Sequence, residues 1–373
     1  MLCKDLGTVV ALGAKRNRAR EVFVLVAGKV QRALNYELFT GRVLPGHQVV
    51  LNTTADFLGL GTGGYHYIIH VIGHEKVEIN KPGHIMKLRY TPLQFACLAV
   101  EEQDSPYHQV MAQAEKLRSL LPIVCGSLHS ILPAVAAAIK RTTKGQAKIV
   151  YLMTDGAALP IELSKLVFRL RENNLLDGTI TIGHAFGGDL EAVNLYSGLL
   201  AADHVLGADV MIVAMGPGIV GTGTKFGSTA MELGEIINAI SILGGQPIVV
   251  PRLNFADCRA RHQGVSHHSL TALGRIALRP AIIALPLLRR QLYDRIRAQL
   301  KSAGVWGQHK IMMVDGAVSI EILGERNIEL TTMGRGFEEE EYYFLAAAAA
   351  GVIAGEFYNV HAKEVHPKLD NAD

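Results

Sequence analysis

The apolar positions of the chain fall into two rhythms. Up to about Val100 they form short runs, alternating or wholly apolar, over Glu21–Val30, His47–Thr53, Tyr65–Ile72 and His84–Tyr90. Gly41, Pro45-Gly46, Gly59–Gly64 and Pro82-Gly83 punctuate them. A period of two puts every second side chain on one face of a strand, and turn signals this frequent leave no room for long helices. The pattern predicts a small all-β barrel or sandwich over residues 1–104, without helix.

Beyond Glu101–Tyr107 the rhythm changes. Apolar runs recur at intervals of about 30 residues, the length of a βα unit. They are Pro122–Cys125, Lys148–Met153, Thr179–Gly183, Asp209–Met215, Pro247–Val250, Ala281–Leu285 and Lys310–Val314. Helical patterns lie between most of them: Ile131–Lys140, Ile161–Asn173, Leu190–Ala201, Ala230–Leu243 and Leu288–Ala303. Strands that are apolar throughout must be covered on both faces, which is the condition of a parallel sheet clothed in helices. The predicted fold class is therefore α/β. A mostly parallel, doubly wound, Rossmann-like sheet over 105–373 follows the barrel. Its tail reads as a strand pair around Ile320 and Ile328, the TTMGRGFEEEE turn, and an Ala-rich helix from Tyr342 to Tyr358. Flanked by Glu338–Glu341 and Glu356, that helix falls short of the ~20 strongly apolar residues of a membrane span and reads as buried. Ala346–Ala350, Gly351 and Gly355 would let it pack closely, on its own chain or across a homodimer.

Charge and cysteine content narrow the function classes. With 37 basic and 34 acidic side chains, a formal +3, the balance argues against a protein built to hold nucleic acid. The one basic run, Lys15 to Arg20, reads as a solvated turn. Cys3, Cys97, Cys125 and Cys258 are scattered, as reduced thiols are, and no apolar signal core follows Lys4-Asp5. A cytoplasmic setting is expected.

In open parallel sheets, ligands bind beyond the carboxyl ends of the strands, where the following helices aim their N-termini. Four successive strand ends carry small or polar groups here. The first leads into Gly126–Ser130 with His129, and the second into Thr154-Asp155-Gly156. The third leads into His184 through Asp189, and the fourth into GPGIVGTGTKFGST, Gly216 to Thr229. Ser130, Asp189 and Thr229 stand where N-caps belong, and Thr229 with Glu232 has capping-box spacing. The fourth loop could offer an anion its backbone N–H groups at Gly216, Gly218, Gly221 and Gly223. It could add the hydroxyls of Thr222, Thr224 and Ser228 and the ammonium of Lys225. It is neither a P-loop nor a dinucleotide fingerprint. After the fifth strand a long irregular stretch supplies Arg252, Arg259 and Arg261, suited to clamp an acidic ligand, with Asp257, His262, His267 and His268 beside them. His129, His184, His268 and Asp155 are the candidate acids and bases, and Asp189 a candidate ligand contact. A competing use is a metal ion held by His262, His267 and His268 with Asp257, although adjacent histidines often diverge; no cofactor is read from the spacing.

The strings GHIMKLRYTPLQ, LNTTA…LGLGTGGYH, GPGIVGTGT, SHHSLTALG and TTMGRG together resemble an uncharacterised bacterial family of about this length, a domain of unknown function. The resemblance spans nearly the whole chain. It implies a bacterial cytoplasmic protein and supplies no activity. Two main expectations follow from the residues: an enzyme acting on a small anionic, phosphorylated or nucleotide-like metabolite, or a non-catalytic sensor using the same crevice with the barrel as interaction surface. A third, subordinate to both, is an RNA-linked protein using the N-terminal barrel and the Lys15–Arg20 run.

Overall fold

The computed structural model describes residues 1–59, 64–74 and 82–365, with the backbone alone for 361–365. Part of the LGLGTGGYH run, residues 60–63, lies outside the described residues. The chain divides into two compact units, 1–82 with 88–96, and 83–87 with 97–373.

The first unit is a closed barrel of β1 (Lys4–Arg16), β2 (Ala19–Val26), β3 (Lys29–Tyr36), β4 (Gln48–Asn52) and β5 (His66–Val71), in the order β1-β2-β3-β5-β4. β4 closes on β1 antiparallel, and β3 runs parallel to β5. The expected strand Glu21–Val30 is in fact a hairpin. Ala27 and Gly28 both take positive φ, 47° and 75°, the geometry of a two-residue primed turn that matches strand twist. Alternate side chains fill the interior: Val9, Val22, Val24, Val26, Ala33, Val49, Leu51, Ile68 and Val71. Against the helix-free expectation, Glu37–Thr40 and Thr54–Phe57 each form one helical turn.

The second unit is an eight-stranded, all-parallel sheet. Its strands are β6 (Pro122–Gly126), β7 (Ile149–Thr154), β8 (Gly178–Ile182), β9 (Leu190–Ala192), β10 (Val210–Met215), β11 (Gln246–Val250), β12 (Ile282–Leu285) and β13 (Lys310–Met313). The order is β9-β8-β7-β10-β6-β11-β12-β13. Every residue of β6, β7, β8 and β10 is buried, as strands covered on both faces must be. After a short helix at His108–Gln113, the helices are α1 (Leu132–Thr142), α2 (Lys165–Glu172), α3 (Leu195–His204), α4 (Glu232–Ile242), α5 (His267–Thr271), α6 (Arg290–Ser302), α7 (Ala317–Glu325) and α8 (Glu341–Val365). α1 packs with α7 and α8, whereas α3 packs with α4. Right-handed crossovers put these two groups on opposite faces.

Three local expectations are corrected. Leu190–Ala201 is a short strand and then a helix, because Asn194 caps α3 through a capping box with Ser197. The strand pair around Ile320 and Ile328 is α7 followed by irregular chain, with Ser319 and Leu323, four apart, facing inward. Side-chain caps come from Ser164, Asn194 and Ser228, not from Ser130, Asp189 or Thr229. Ser130 Oγ instead meets Thr332 Oγ1 at 2.8 Å and the Tyr343 hydroxyl at 3.0 Å, and Asp189 faces Arg171. α8 is long and apolar enough to span a membrane by composition, but 61% of its apolar window is buried, as in a core helix.

Candidate functional site

The order of the strands creates the site. From β6 the chain moves outward through β7, β8 and β9, returns to β10, then crosses over β6 to β11. The loops after β6 and β10 therefore diverge to opposite faces, and a crevice opens between neighbouring strand ends. It holds a cleft of about 220 Å³. Ser127 and Leu128 form its floor beyond β6. Ile219, Val220, Gly221, Gly223, Ser228 and Ala230 come from the loop after β10. Arg252, Asp257, Arg259, Arg261, His262, Ser266, His268 and Ser269 come from the stretch after β11, and Met333 from the turn before α8.

The cleft's charges are organised by two buried carboxylates. Asp257 receives Arg259 through Nε at 3.0 Å and Nη2 at 2.8 Å, with Arg335 at 3.4 Å. The Arg259 hydrogen bond holds its carboxyl far below the usual range. Glu340, 1% exposed, accepts from Arg252 Nη2 at 2.5 Å, Arg335 Nη2 at 2.6 Å and Asn254 Nδ2 at 2.6 Å. Arg252 also lies over the Tyr343 ring, 4.4 Å from its centre. Three arginines thus share two carboxylates. Arg261 is exposed and has no carboxylate partner among the described residues; its guanidinium lies over Gly223, where a Cβ would come within 3.9 Å of it. The cluster retains two positive charges, and Arg252 Nη1 is buried without a hydrogen-bond partner.

Beside the arginines stand three imidazoles. Ring centres are 3.8 Å apart for His267 and His268, 5.1 Å for His262 and His267, and 5.8 Å for His262 and His268. Burial first, then the neighbouring arginines, brings His262 down to about 4. Burial, then His267 and Arg261, does the same to His268. His267 is lowered by burial and by Arg261 and Arg259. All three are neutral at pH 7. His262 Nδ1 is 2.9 Å from Ser266 Oγ, whereas His267 Nε2 and His268 Nδ1 are buried without partners. A Cβ on Gly221 would come within 3.1 Å of His268 Nε2, so this glycine lets the imidazole reach the loop. Among the described residues, no three His, Cys, Asp or Glu side chains are grouped to hold a metal ion.

Of the residues singled out from sequence, Gly221, Gly223, Ser228, Arg252, Arg259, Arg261, His262 and His268 meet on this cleft. The others do not line it. Thr222 and Thr224 bond each other at 2.9 Å and turn onto Gly227, so their hydroxyls brace the loop. Lys225 is exposed near the Phe226 ring. Gly216 packs against Met153, and Gly218, φ 115°, turns the chain beside Ala157. Asp189 is pinned by Arg171 at 2.6 Å and by Thr179 N at 2.9 Å. His184 stands in the turn after β8, two strands from β10.

His129 and Asp155 belong to a neighbouring polar layer. His129 Nε2 is 2.6 Å from Ser164 Oγ, and Nδ1 is 3.1 Å from the Tyr151 hydroxyl. That hydroxyl donates to the Ala214 carbonyl at 3.1 Å. Burial brings His129 down to about 4. Asp155 lies against Gly183, where a Cβ would meet its Oδ2 at 2.7 Å. Glu232 accepts from Thr154 Oγ1 at 2.9 Å, and burial pushes its carboxyl up to about 7. Sequence reasoning missed Glu340, Arg335 and Met333. Their only signal was the TTMGRGFEEEE string, read as a turn.

A family model described as "Protein of unknown function (DUF3866)" matches residues 32–351, from within β3 of the barrel to α8. No curated protein matches the chain.

Proposed function

We infer, for a chain that belongs to the DUF3866 family, that the switch-point cleft binds a small anionic metabolite. One observation carries the reading: Arg252, Arg259 and Arg261 converge on a cleft whose carboxylates neutralise only part of their charge. Guanidinium groups paired with oxyanions make strong, directional hydrogen bonds, and an excess of them is unfavourable until an anion arrives. The Gly221–Gly223 backbone and Ser228 offer further contacts. Leu128, Ile219, Val220 and Met333 add apolar character to the lining, which suits a phosphorylated or carboxylated compound with a carbon body.

Neutral His262 and His268 can take or relay a proton beside the bound anion. An enzyme of proton or group transfer is the form of this reading that uses every feature of the cleft. Four free cysteines accord with the reducing cytoplasm of a bacterial cell.

A thermal-shift panel of sulfate, phosphate, phosphomonoesters and nucleotides tests the reading. At 100 times Kd, binding to the native state alone contributes about 2.7 kcal/mol, a shift of several degrees. Stabilisation by one anion class, lost in Arg261→Ala, is expected. A flat panel rejects it.

A further inference from the structure

The whole-chain charge conceals an asymmetry. The barrel unit, residues 1–82 and 88–96, holds 11 basic and 6 acidic side chains, a formal +5; the remaining 26 and 28 give the α/β unit −2. The argument against nucleic acid made from the chain's +3 therefore fails for the barrel.

The barrel's cations frame a flat apolar face. Along β2, Val22, Val24 and Val26 point inward and Phe23 and Leu25 outward. Across the ladder Phe23 stands between Ala11 of β1 and Arg32 of β3, and Leu25 between Thr8 and Val30. Phe23 is 40% exposed, Leu25 42% and Val30 60%. Arg32 lies with its guanidinium 4.3 Å from the centre of the Tyr65 ring, which holds the guanidinium plane on the β3 side of this face. At one end of β2 the β1–β2 turn carries Arg18, and at the other Lys29 opens β3. Neither is paired with a carboxylate among the described residues. Arg20, inside β2, stands opposite the buried Asn35 on Val22's side and donates to the Gly13 carbonyl at 2.9 Å, and Glu21, on Phe23's side, is neutralised by Arg16 at 2.7 Å.

We propose that this β1–β2–β3 face binds single-stranded nucleic acid. Unstacked bases present apolar π-faces that Phe23 and the Arg32 guanidinium can cover, and phosphates on either side meet Arg18 and Lys29. A duplex keeps its base faces hidden and gains only the phosphate contacts. A second copy of the chain would bring one +5 barrel against another. Five-stranded barrels of this Greek-key kind bind oligonucleotides across strands 2 and 3. The eight residues of β2 span about 26 Å at ~3.3 Å per residue, room for about four nucleotides, the lower end of the range per barrel.

The test uses the full chain and fluorescein-labelled 12-mers of thymidine and uridine, followed by anisotropy at several salt concentrations. A 12-base-pair duplex and heparin serve as competitors. Single strands should bind at least ten times more tightly than the duplex. Phe23→Ala should weaken them about five- to 150-fold, and Phe23→Trp should retain binding, because stacking is worth that much per base. Arg18→Ala with Lys29→Ala should lower the slope of log K against log salt by about 1.4. Three results overturn the proposal: no single-strand binding at low salt, equal affinity for heparin or duplex, or a dimer in light scattering that Phe23→Ala disperses. The last would make the face a self-association surface.

Discussion

Glu232 is a half-buried carboxylate that accepts a hydrogen bond from Thr154, with Glu235 and Asp155 close enough to oppose its ionisation. Burial is the largest effect, and the folded carboxyl titrates at about 7 instead of 4.5. A folded value above the unfolded one means that the native state holds the proton longer. Glu232 favours folding below pH 4.5 and progressively loses that contribution as pH rises through 7. Glu232→Gln keeps an acceptor for Thr154 and removes the titration. It should raise Tm at pH 8 by several degrees, change it little at pH 4, and flatten the profile between. The histidines of the cleft run the other way. His262 and His268 are held near 4, so they weaken the fold as pH drops from 6.5 to 4. An anion beside them raises those values, which links binding to proton uptake. Sulfate, fully ionised throughout, should therefore bind more tightly at pH 5 than at pH 7, and His268→Gln should blunt the difference. At either pH, Arg261→Ala should weaken sulfate about 10- to 150-fold, the worth of a charged hydrogen bond. Isothermal calorimetry in buffers of different ionisation heat measures both quantities.

Among the elements, α8 sets the tightest tolerance. A Cβ on Gly351 would stand 2.4 Å from the Val135 carbonyl oxygen, and one on Gly355 would stand 2.7 Å from Thr142 Cβ. The run Ala346–Ala350 is fully buried, so α8 and α1 pack backbone to backbone over β6 and β11. The obstacle at Gly351 is main chain, which cannot rotate aside. Gly351→Ala should cost about 1–3 kcal/mol in urea denaturation despite the better helix propensity of alanine. Gly324, with no atom within 4 Å of an added Cβ, is the control: Gly324→Ala should be neutral or stabilising. This contact was partly legible, since small residues spaced along one helix announce a close neighbour without naming it. Seven of the eight sheet strands were legible, six because burial on both faces leaves a nearly unbroken apolar run, and the more exposed edge strand β13 because its residues are still mostly apolar. β9, only Leu190–Ala192, was hidden because three residues carry no period, and the helical pattern beyond Asn194 absorbed them. Gly28 concealed a turn for a related reason. One glycine inside an apolar run looks like a strand interior until Ala27 is seen to share its positive φ.

At the scale of the whole molecule, strand order made the site legible and sequence distance limited it. A parallel sheet with a reversal point must gather the loops after β6, β10 and β11, so the cleft's arginines and glycines could be expected together. Glu340 reaches Arg252 across 88 residues of chain, and nothing local marks an acidic run as the partner of a distant basic one. Thr222 and Thr224 misled for the opposite reason: their own loop consumes their hydroxyls. The two units also have separate cores, one around Val24, Leu51 and Ile68 and one around Val124, Leu152 and Ile212. Each core excludes water by itself, and cooperativity within a core exceeds that between cores. Scanning calorimetry of the full chain should therefore resolve two transitions, the larger enthalpy belonging to the α/β unit because unfolding enthalpy scales with residues. Sulfate should raise only that transition, since the cleft lies wholly within the unit. A thymidine 12-mer should raise only the smaller one, since Phe23 and Arg18 lie in the barrel. The two ligands thus assign the peaks independently of each other. If both ligands shift one shared transition equally, the units unfold together, and the energetic separation drawn from their cores is wrong even where both sites bind.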